Sequence, residues 1–460
     1  MLKDKNKLAY CIFLIFVTAF IFIVLKGLIT LQPGDENVYY YMGKLISEGK
    51  VPYRDFFFAH PPLHIYLIAL IYEIFGFNIT ILKLIPLISI LTSAFFIFKI
   101  AKKEFGDAEA VMSSLLFLFS YTIMFNSTFS FGMEVAAMFL VVGTYFLLNK
   151  DKHYLAGAFF GLAGTTRLLS LMPISVIFAA ALFSGKKNFL KLSSGFLIVF
   201  LLVNGIFVLL LGDNYLTPVY KFHLLKSFGG KENFMEYTDM IKLNWLLFSS
   251  SLLIIFLKEK KQVSMFAITS IIYFLFLTSL KKIFGFYFIV VFPFLAIIGG
   301  YNLVKLYKKI DLSKEWKWAI LTIFLIIFAW DLTANILFLE KIGFKGFERG
   351  KDLTDFIASN SNKDAMLFGD DSVVPLIALL TGRKIALDFV DTNNEVFITG
   401  VRNLNKALSD LKGKDVLFII RSKQGISYFN EVKIFLNKNC EFLSQFHDKI
   451  EGNYLIYRCV

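Results

Sequence analysis

GDENVYYYMGKLISEGKVPYRDFFFAHPPLHIYLIALIYEIFGF, residues 34–77, lies between two apolar runs, 9–29 and 79–100, and its reading decides the fold. Pro33 and Gly34 make a turn. Asp35 and Glu36 then open a helix expected over 36–48, because carboxylates suit the positive end of a helix dipole. Gly49 closes that helix, as a C-terminal glycine does. Residues 51–60 are extended, and Pro61 and Pro62 start a second helix over 63–75, with proline where its missing N–H is harmless. At 1.5 Å per residue this second helix is only about 20 Å long, short of a bilayer core. Counting it as a span would also reverse every later loop. The stretch therefore reads as two helices lying on a membrane surface, which bring Asp35, Glu36, Arg54, Asp55 and His60 to the boundary.

The rest of the chain agrees with a membrane setting. Of 460 residues, 57% are hydrophobic and 18% charged, below the quarter or so of charged residues usual in soluble domains. The basic residues behind the net charge of +13 are not gathered on one soluble face, which excludes a nucleic-acid-binding reading. Cys11, Cys440 and Cys459 offer neither a disulfide scaffold nor a CxxC pair. Apolar runs suited to spanning occur at 9–29, 79–100, 109–125, 131–149, 154–166, 168–184, 189–211, 243–257, 263–280, 284–303 and 317–339. The expected fold is an α-helical polytopic membrane protein of about eleven transmembrane helices. With the N-terminus inside, the short cytoplasmic segments (1–8, 99–108, 150–153, 185–191, 258–262 and 304–317) carry 19 Lys and Arg, against about 12 on the other side. That bias sets the orientation and places the last 120 residues outside.

Cations that survive on the outer side ask for a reason. Arg167 sits in GLAGTTRLLSLMP, and Lys281 and Lys282 sit in TSLKKIFGFYF. Two readings fit: they snorkel to outer head groups, or they hold the phosphate of a membrane-borne substrate. Glu134, alone in SFGMEVAAMF at the outer end of a span, is a functional candidate because ionisable groups are expensive there.

Taken together, GDENVYYYMGKLISEGKVPYRDFFFAHPPL, the KLIP at 83–86, YLAGAFFGLAGTTRLLSLMP and FGFYFIVVFPFLAIIGG resemble the lipid-dependent glycosyltransferases of the GT-C superfamily. The nearest branch is the dolichyl-phosphate-mannose–protein mannosyltransferase and aminoarabinose transferase group. The likeness covers roughly residues 8–340. It implies a GT-C fold and transfer of a sugar, with inversion, from a polyprenyl-phosphate carrier to a protein, lipid or glycan acceptor at the outer membrane face. The attacking acceptor needs a carboxylate to take its proton, and the departing lipid phosphate needs fixed cations. Matched to the family motif, Asp35 is the base, with Glu36 orienting a substrate and Glu134 a further catalytic candidate. Arg167, Lys281 and Lys282 are the phosphate cations, and Tyr287 adds a hydroxyl. Arg54 and Asp55 either serve the acceptor or pair with each other to shape the loop. His60 stands where the aminoarabinose branch usually has lysine and the mannosyltransferase branch has H-P-P. His60, His64 and His223 match no zinc spacing. No cofactor is assigned, and a divalent cation is left open. His223 belongs to a second outer segment, 213–242, long enough to cover the cavity.

Near residue 340 the composition changes. Residues 341–460 hold 17 basic and 15 acidic side chains and alternate helices (348–360, 373–381, 403–411, 426–438) with strands (365–369, 416–421, 441–447, 453–459). This reads as a small extracytoplasmic α/β domain, giving domains 1–340 and 341–460. Asp370 and Asp371 read as helix caps. Cys440 and Cys459 fall opposite each other around a turn near 449–450, within reach of a bridge that an oxidising compartment permits. From another functional class, a membrane transporter or lipid flippase also fits many spans with internal charges, although repeated halves are not evident. A ligase or polymerase of diphosphate-linked glycans shares the same membrane chemistry.

Overall fold

The computed structural model describes residues 2–149, 151–253, 260–309, 313–422, 424–449 and 452–460. Lys150, Lys258, residues 310–312 and the end of the 243–257 run, all used in the expectations above, lie outside the described residues. In chain order the first helices are α1 (Leu2–Ile29), α2 (Asp35–Ser47), α3 (Leu63–Phe75), α4 (Ile79–Glu104), α5 (Asp107–Leu118), α6 (Tyr121–Asn126), α7 (Met133–Leu147) and α8 (His153–Thr166). They are followed by α9 (Leu171–Ser184), α10 (Lys186–Leu211), α11 (Asp213–Leu216), α12 (Phe222–Leu225), α13 (Lys231–Leu243), α14 (Trp245–Leu252), α15 (Lys261–Thr278), α16 (Phe292–Lys309) and α17 (Lys314–Phe338). The tail adds α18 (Gly350–Ser359), α19 (Val374–Thr381), α20 (Asn394–Ile398), α21 (Leu404–Leu411) and α22 (Asn430–Asn439). Among the described residues six helical stretches are long and apolar enough to cross a membrane. The other apolar runs form shorter helices, and the 109–125 run breaks at Phe119 and Ser120 between α5 and α6.

The chain packs as two compact units. The first comprises Met1–Leu28, Lys83–Ile206 and Gly229–Gly343. Its centre is the stretch Gly285–Lys309, 94% of whose apolar window is buried, against 11% for the windows of α10 and of the stretch containing α17. Small residues let neighbours close on α16. A side chain at Gly300 would collide with Ser113 of α5, and Asn302 donates to the Ser250 and Ser251 carbonyls of α14, each at 3.1 Å. The α8–α10 crossing is tighter still. A Cβ at Gly157 would overlap the Leu192 carbonyl, and one at Gly195 would overlap that of Tyr154, the close approach that small residues permit between membrane helices.

The second unit comprises Ile29–Leu82, Phe207–Phe228 and Phe344–Val460, so the first loop packs with the tail. Its opening helix starts one residue before the expected position, and its end follows local chemistry. Gly49 takes φ 87°, and the N–H groups of Gly49 and Lys50 return to the Ile46 and Leu45 carbonyls at 2.9 Å, satisfying the last turn. Pro62 precedes α3, which packs Ile65, Ile68 and Ala69 inward and leaves Leu70, Ile74 and Phe75 exposed. In the tail, strands β1 (Met366–Gly369), β2 (Val416–Arg421), β3 (Cys440–Asp448) and β4 (Gly452–Cys459) form one sheet in the order β1-β2-β4-β3. β1 runs parallel to β2, and the other pairs are antiparallel. Cys440 faces Cys459 in the register, and the two are disulfide-bonded. The 3–10 and helical pieces between β1 and β2 included α20, which the periodicity did not reveal.

Candidate active site

In the second unit the acidic pair opens α2 with its two members in different surroundings. Asp35 is exposed, whereas Glu36 is 1% exposed and its Oε2 accepts from the Tyr40 hydroxyl at 3.3 Å. The side chain of Asn37 donates to the Gln32 and Gly34 carbonyls at 2.9 and 3.2 Å, holding the turn that aims Asp35. The N–H of Gly34 donates to the Ser372 carbonyl at 2.9 Å. The turn that carries Ser372 is itself fixed. Asp370, buried, accepts from the Ser372 N–H at 3.0 Å, from the Ser372 hydroxyl, and from the Arg421 guanidinium at 3.2 Å. The Thr392 hydroxyl donates to the Gly369 carbonyl, bringing the neighbouring Asp391 to the same end of β1.

Asp35 therefore has acidic company that the sequence did not disclose. Burial, and then the charges of Asp370, Asp391 and Asp35, hold the Asp371 carboxyl well above the usual range, with Arg421 opposing. Burial pushes Asp391 up to about 6; the Asn393 N–H opposes this, Asp35 adds to it, and Lys226 also opposes. Neither aspartate is the helix cap expected of it: α19 starts at Val374 without a side-chain cap, Asp370 holds Ser372 and Arg421, and Asp371 feels the charge of Asp35. No spacing motif links Asp391 to a residue hundreds of positions earlier, so the sequence carries no signal for it. Among the described residues no group of three or more His, Cys, Asp or Glu is arranged to hold a metal ion.

The remaining first-loop candidates divide. Arg54 and Asp55 form a two-pronged ion pair at 2.9 Å on each prong, and Asp55 also accepts from the Val51 N–H at 2.7 Å. The Arg54 hydrogen bond draws the Asp55 carboxyl down to about 2, so this pair shapes the loop. His60 precedes α3 rather than sharing it with His64, and both rings meet Tyr39, at 6.3 and 5.4 Å. His223 stacks on His60 at 5.4 Å, and its Nε2 lies 2.7 Å from the Ala59 carbonyl. The Ser227 N–H donates to Glu395 at 2.9 Å, as does its hydroxyl, so the second outer segment is tied to the tail as well as to the loop.

In the first unit, Arg167, Glu134 and the 285–291 turn come together. Glu134 is fully buried, and its Oε1 accepts from the Gly132 N–H at 2.9 Å. Arg167, 2% exposed, donates to the Phe131 carbonyl and acts electrostatically on Glu134. It does not snorkel: the guanidinium is enclosed in protein. Phe131 stacks on Phe286 with ring centres 4.5 Å apart, and Phe286 adjoins Tyr287, whose carbonyl accepts from the Tyr273 hydroxyl at 2.8 Å. Lys281 and Lys282 face α13 instead. The Lys281 carbonyl accepts from Gly229 N–H and Asn233 while its side chain is exposed, and Lys282 lies 3.9 Å from Glu232.

Comparisons with known proteins bear on this arrangement. The profile of the dolichyl-phosphate-mannose-protein mannosyltransferase family matches residues 59–211. Among solved structures, ArnT from Cupriavidus metallidurans bound to undecaprenyl phosphate superposes with a TM-score of 0.68 at 14% identity, covering 97% of this chain and 98% of that one. The oligosaccharyltransferase AglB from Archaeoglobus fulgidus, in complex with an inhibitory peptide and a dolichol-phosphate, gives 0.59 at 11% identity over 98% of this chain and 74% of that one. Arabinofuranosyltransferase AftD from Mycobacteria gives 0.52 at 10% identity over 96% of this chain and 41% of that one. A sequence search of curated proteins finds no match. The fold, carried over nearly the whole length, is that of the GT-C glycosyltransferases.

Proposed function

We propose that this protein transfers a sugar from a polyprenyl-phosphate carrier to an acceptor at the outer face of the cell membrane. The reaction is a single displacement at the anomeric carbon, and it inverts that centre. Asp35 takes the acceptor proton as the new bond forms, and Glu36 orients a substrate. The leaving phosphate is met by Lys281, Lys282 and Tyr287. Arg167, buried and acting electrostatically on Glu134, is the third phosphate cation. His60 and His223 contact the acceptor or close over it, while Arg54 and Asp55 keep the loop in shape. The N-terminus is cytoplasmic and the disulfide-bridged tail is outside, where such a bridge persists.

The observation that supports this reading most directly is the exposed Asp35 carboxylate, held by a fixed turn at the head of α2, in a chain with the GT-C fold. The test is turnover in detergent, without any gradient, on a polyprenyl-phosphate-linked sugar. Product formation that disappears in Asp35→Asn supports the proposal. Carrier movement across a sealed membrane without any sugar transfer would replace it with a transporter.

A further inference from the structure

A cavity lies in the first unit, away from the groups discussed above. It encloses about 650 Å³ among α1, α5, α16 and α17, with Leu8, Ile12, Val111, Leu303, Leu321 and Phe324 on its walls. Apart from Asp107 and Lys308 at one end, and the Tyr307 ring, its lining is hydrocarbon. Packed protein interiors do not keep voids of this size. α17 also leaves most of its apolar surface uncovered, so the cavity opens where the bilayer would be, and acyl chains are the material at hand to fill it.

The polar end distinguishes it from an ordinary groove. Lys102 pairs with Asp107, and Lys308 pairs with Glu109 at 2.6 Å, so both of these carboxylates already hold a lysine. Beyond those pairs stand Lys7, one residue before the wall residue Leu8, and Lys317, one turn before the wall residue Leu321. Lys309 and Lys314 close the same ends of α16 and α17; Glu315, the acid beside them, accepts from the Ser313 hydroxyl at 2.6 Å. An apolar slot with a net positive mouth fits a molecule that has a hydrocarbon tail and an anionic head.

We propose that this cavity binds an anionic phospholipid. One acyl chain enters between α1, α5, α16 and α17, and the phosphate stays at the lysine-bearing end. The lysine bias assigns that end to the cytoplasmic leaflet, opposite to the proposed transfer chemistry, so the lipid is a structural or regulatory ligand rather than the sugar carrier. Each lysine near an anionic lipid headgroup contributes about fivefold in binding.

The test is native mass spectrometry of the full chain released from nanodiscs of equal phosphatidylglycerol and phosphatidylcholine. One retained phosphatidylglycerol, favoured on the order of tenfold or more over phosphatidylcholine, is expected. The surface variant Lys7→Gln/Lys317→Gln should lose most of that preference. Ala108→Trp, at an exposed position on the cavity wall, should lose the bound lipid while melting like the parent protein. Equal retention of both lipids, or retention unchanged in Ala108→Trp, would overturn the site. Displacement of phosphatidylglycerol by added undecaprenyl phosphate would equally overturn the phospholipid assignment, because it would make this a carrier site.

Discussion

The N–H of Gly34 donates to the carbonyl of Ser372 at 2.9 Å, joining the residue before Asp35 to the residue after Asp371. A single backbone bond thus ties the head of the first-loop helix to the end of β1 in the tail, within one packed unit. The acids of the tail share surroundings with the proposed base.

Asp35→Asn is expected to lower turnover by about 10²- to 10⁴-fold, the range that a positioned general base supplies. Because Asp35 is exposed, melting temperature and donor affinity should stay at the parent values. Single-turnover kinetics with the lipid-linked sugar, alongside a thermal melt, would check this. Near-normal turnover would remove Asp35 from the base role.

Asp391 yields a prediction in pH. Its carboxyl is pushed up to about 6 in the folded protein, against an ordinary value near 4. Below about pH 4 both states hold the proton and nothing is lost. Between roughly 4 and 6 the folded state holds it more tightly, so stability falls as pH rises, and above 6 the whole cost is present. Asp391→Asn should therefore stabilise the protein at pH 7.5, by about 3 kcal/mol at most, and have little effect near pH 4. Melting curves at the two pH values decide it. An equal shift at both would place the effect elsewhere.

Local signals were readable where local chemistry dictates structure. Gly49, Pro61 and Pro62 marked the ends of α2 and α3 to within a residue, because a left-handed glycine and a helix-initiating proline act on their own neighbours. Alternation in the tail placed all four strands for the same reason. The partnership of Asp35 with Asp371 and Asp391 was invisible, since it arises from tertiary packing between distant segments. The burial of Arg167 was equally hidden: its flanks show that the chain is apolar there, but not whether a guanidinium meets lipid head groups or the Phe131 carbonyl.

The α8–α10 crossing supplies a packing test. Gly157 and Gly195 each meet a backbone carbonyl of the facing helix, and backbone cannot step aside as a flexible side chain does. Overpacking of this sort costs about 1–3 kcal/mol, so Gly195→Val should lower the melting temperature and Gly205→Val, which has open space around it, should not. Equal behaviour of the two variants would show that the crossing is looser than the backbone contacts imply.

Arg167 separates a structural from a ligand-binding role. It is enclosed in protein and acts electrostatically on the buried Glu134, and a buried charge left without its counter-charge destabilises by about 3 kcal/mol or more. Arg167→Met should therefore unfold at markedly lower temperature, and Arg167→Met/Glu134→Gln should recover much of the loss. The recovered double variant then isolates the chemical role. If the guanidinium contributes to holding the leaving phosphate, affinity for the polyprenyl-phosphate donor stays weak although the fold is restored. If donor affinity returns together with stability, Arg167 serves only to fix the wall, and phosphate binding falls to Lys281, Lys282 and Tyr287.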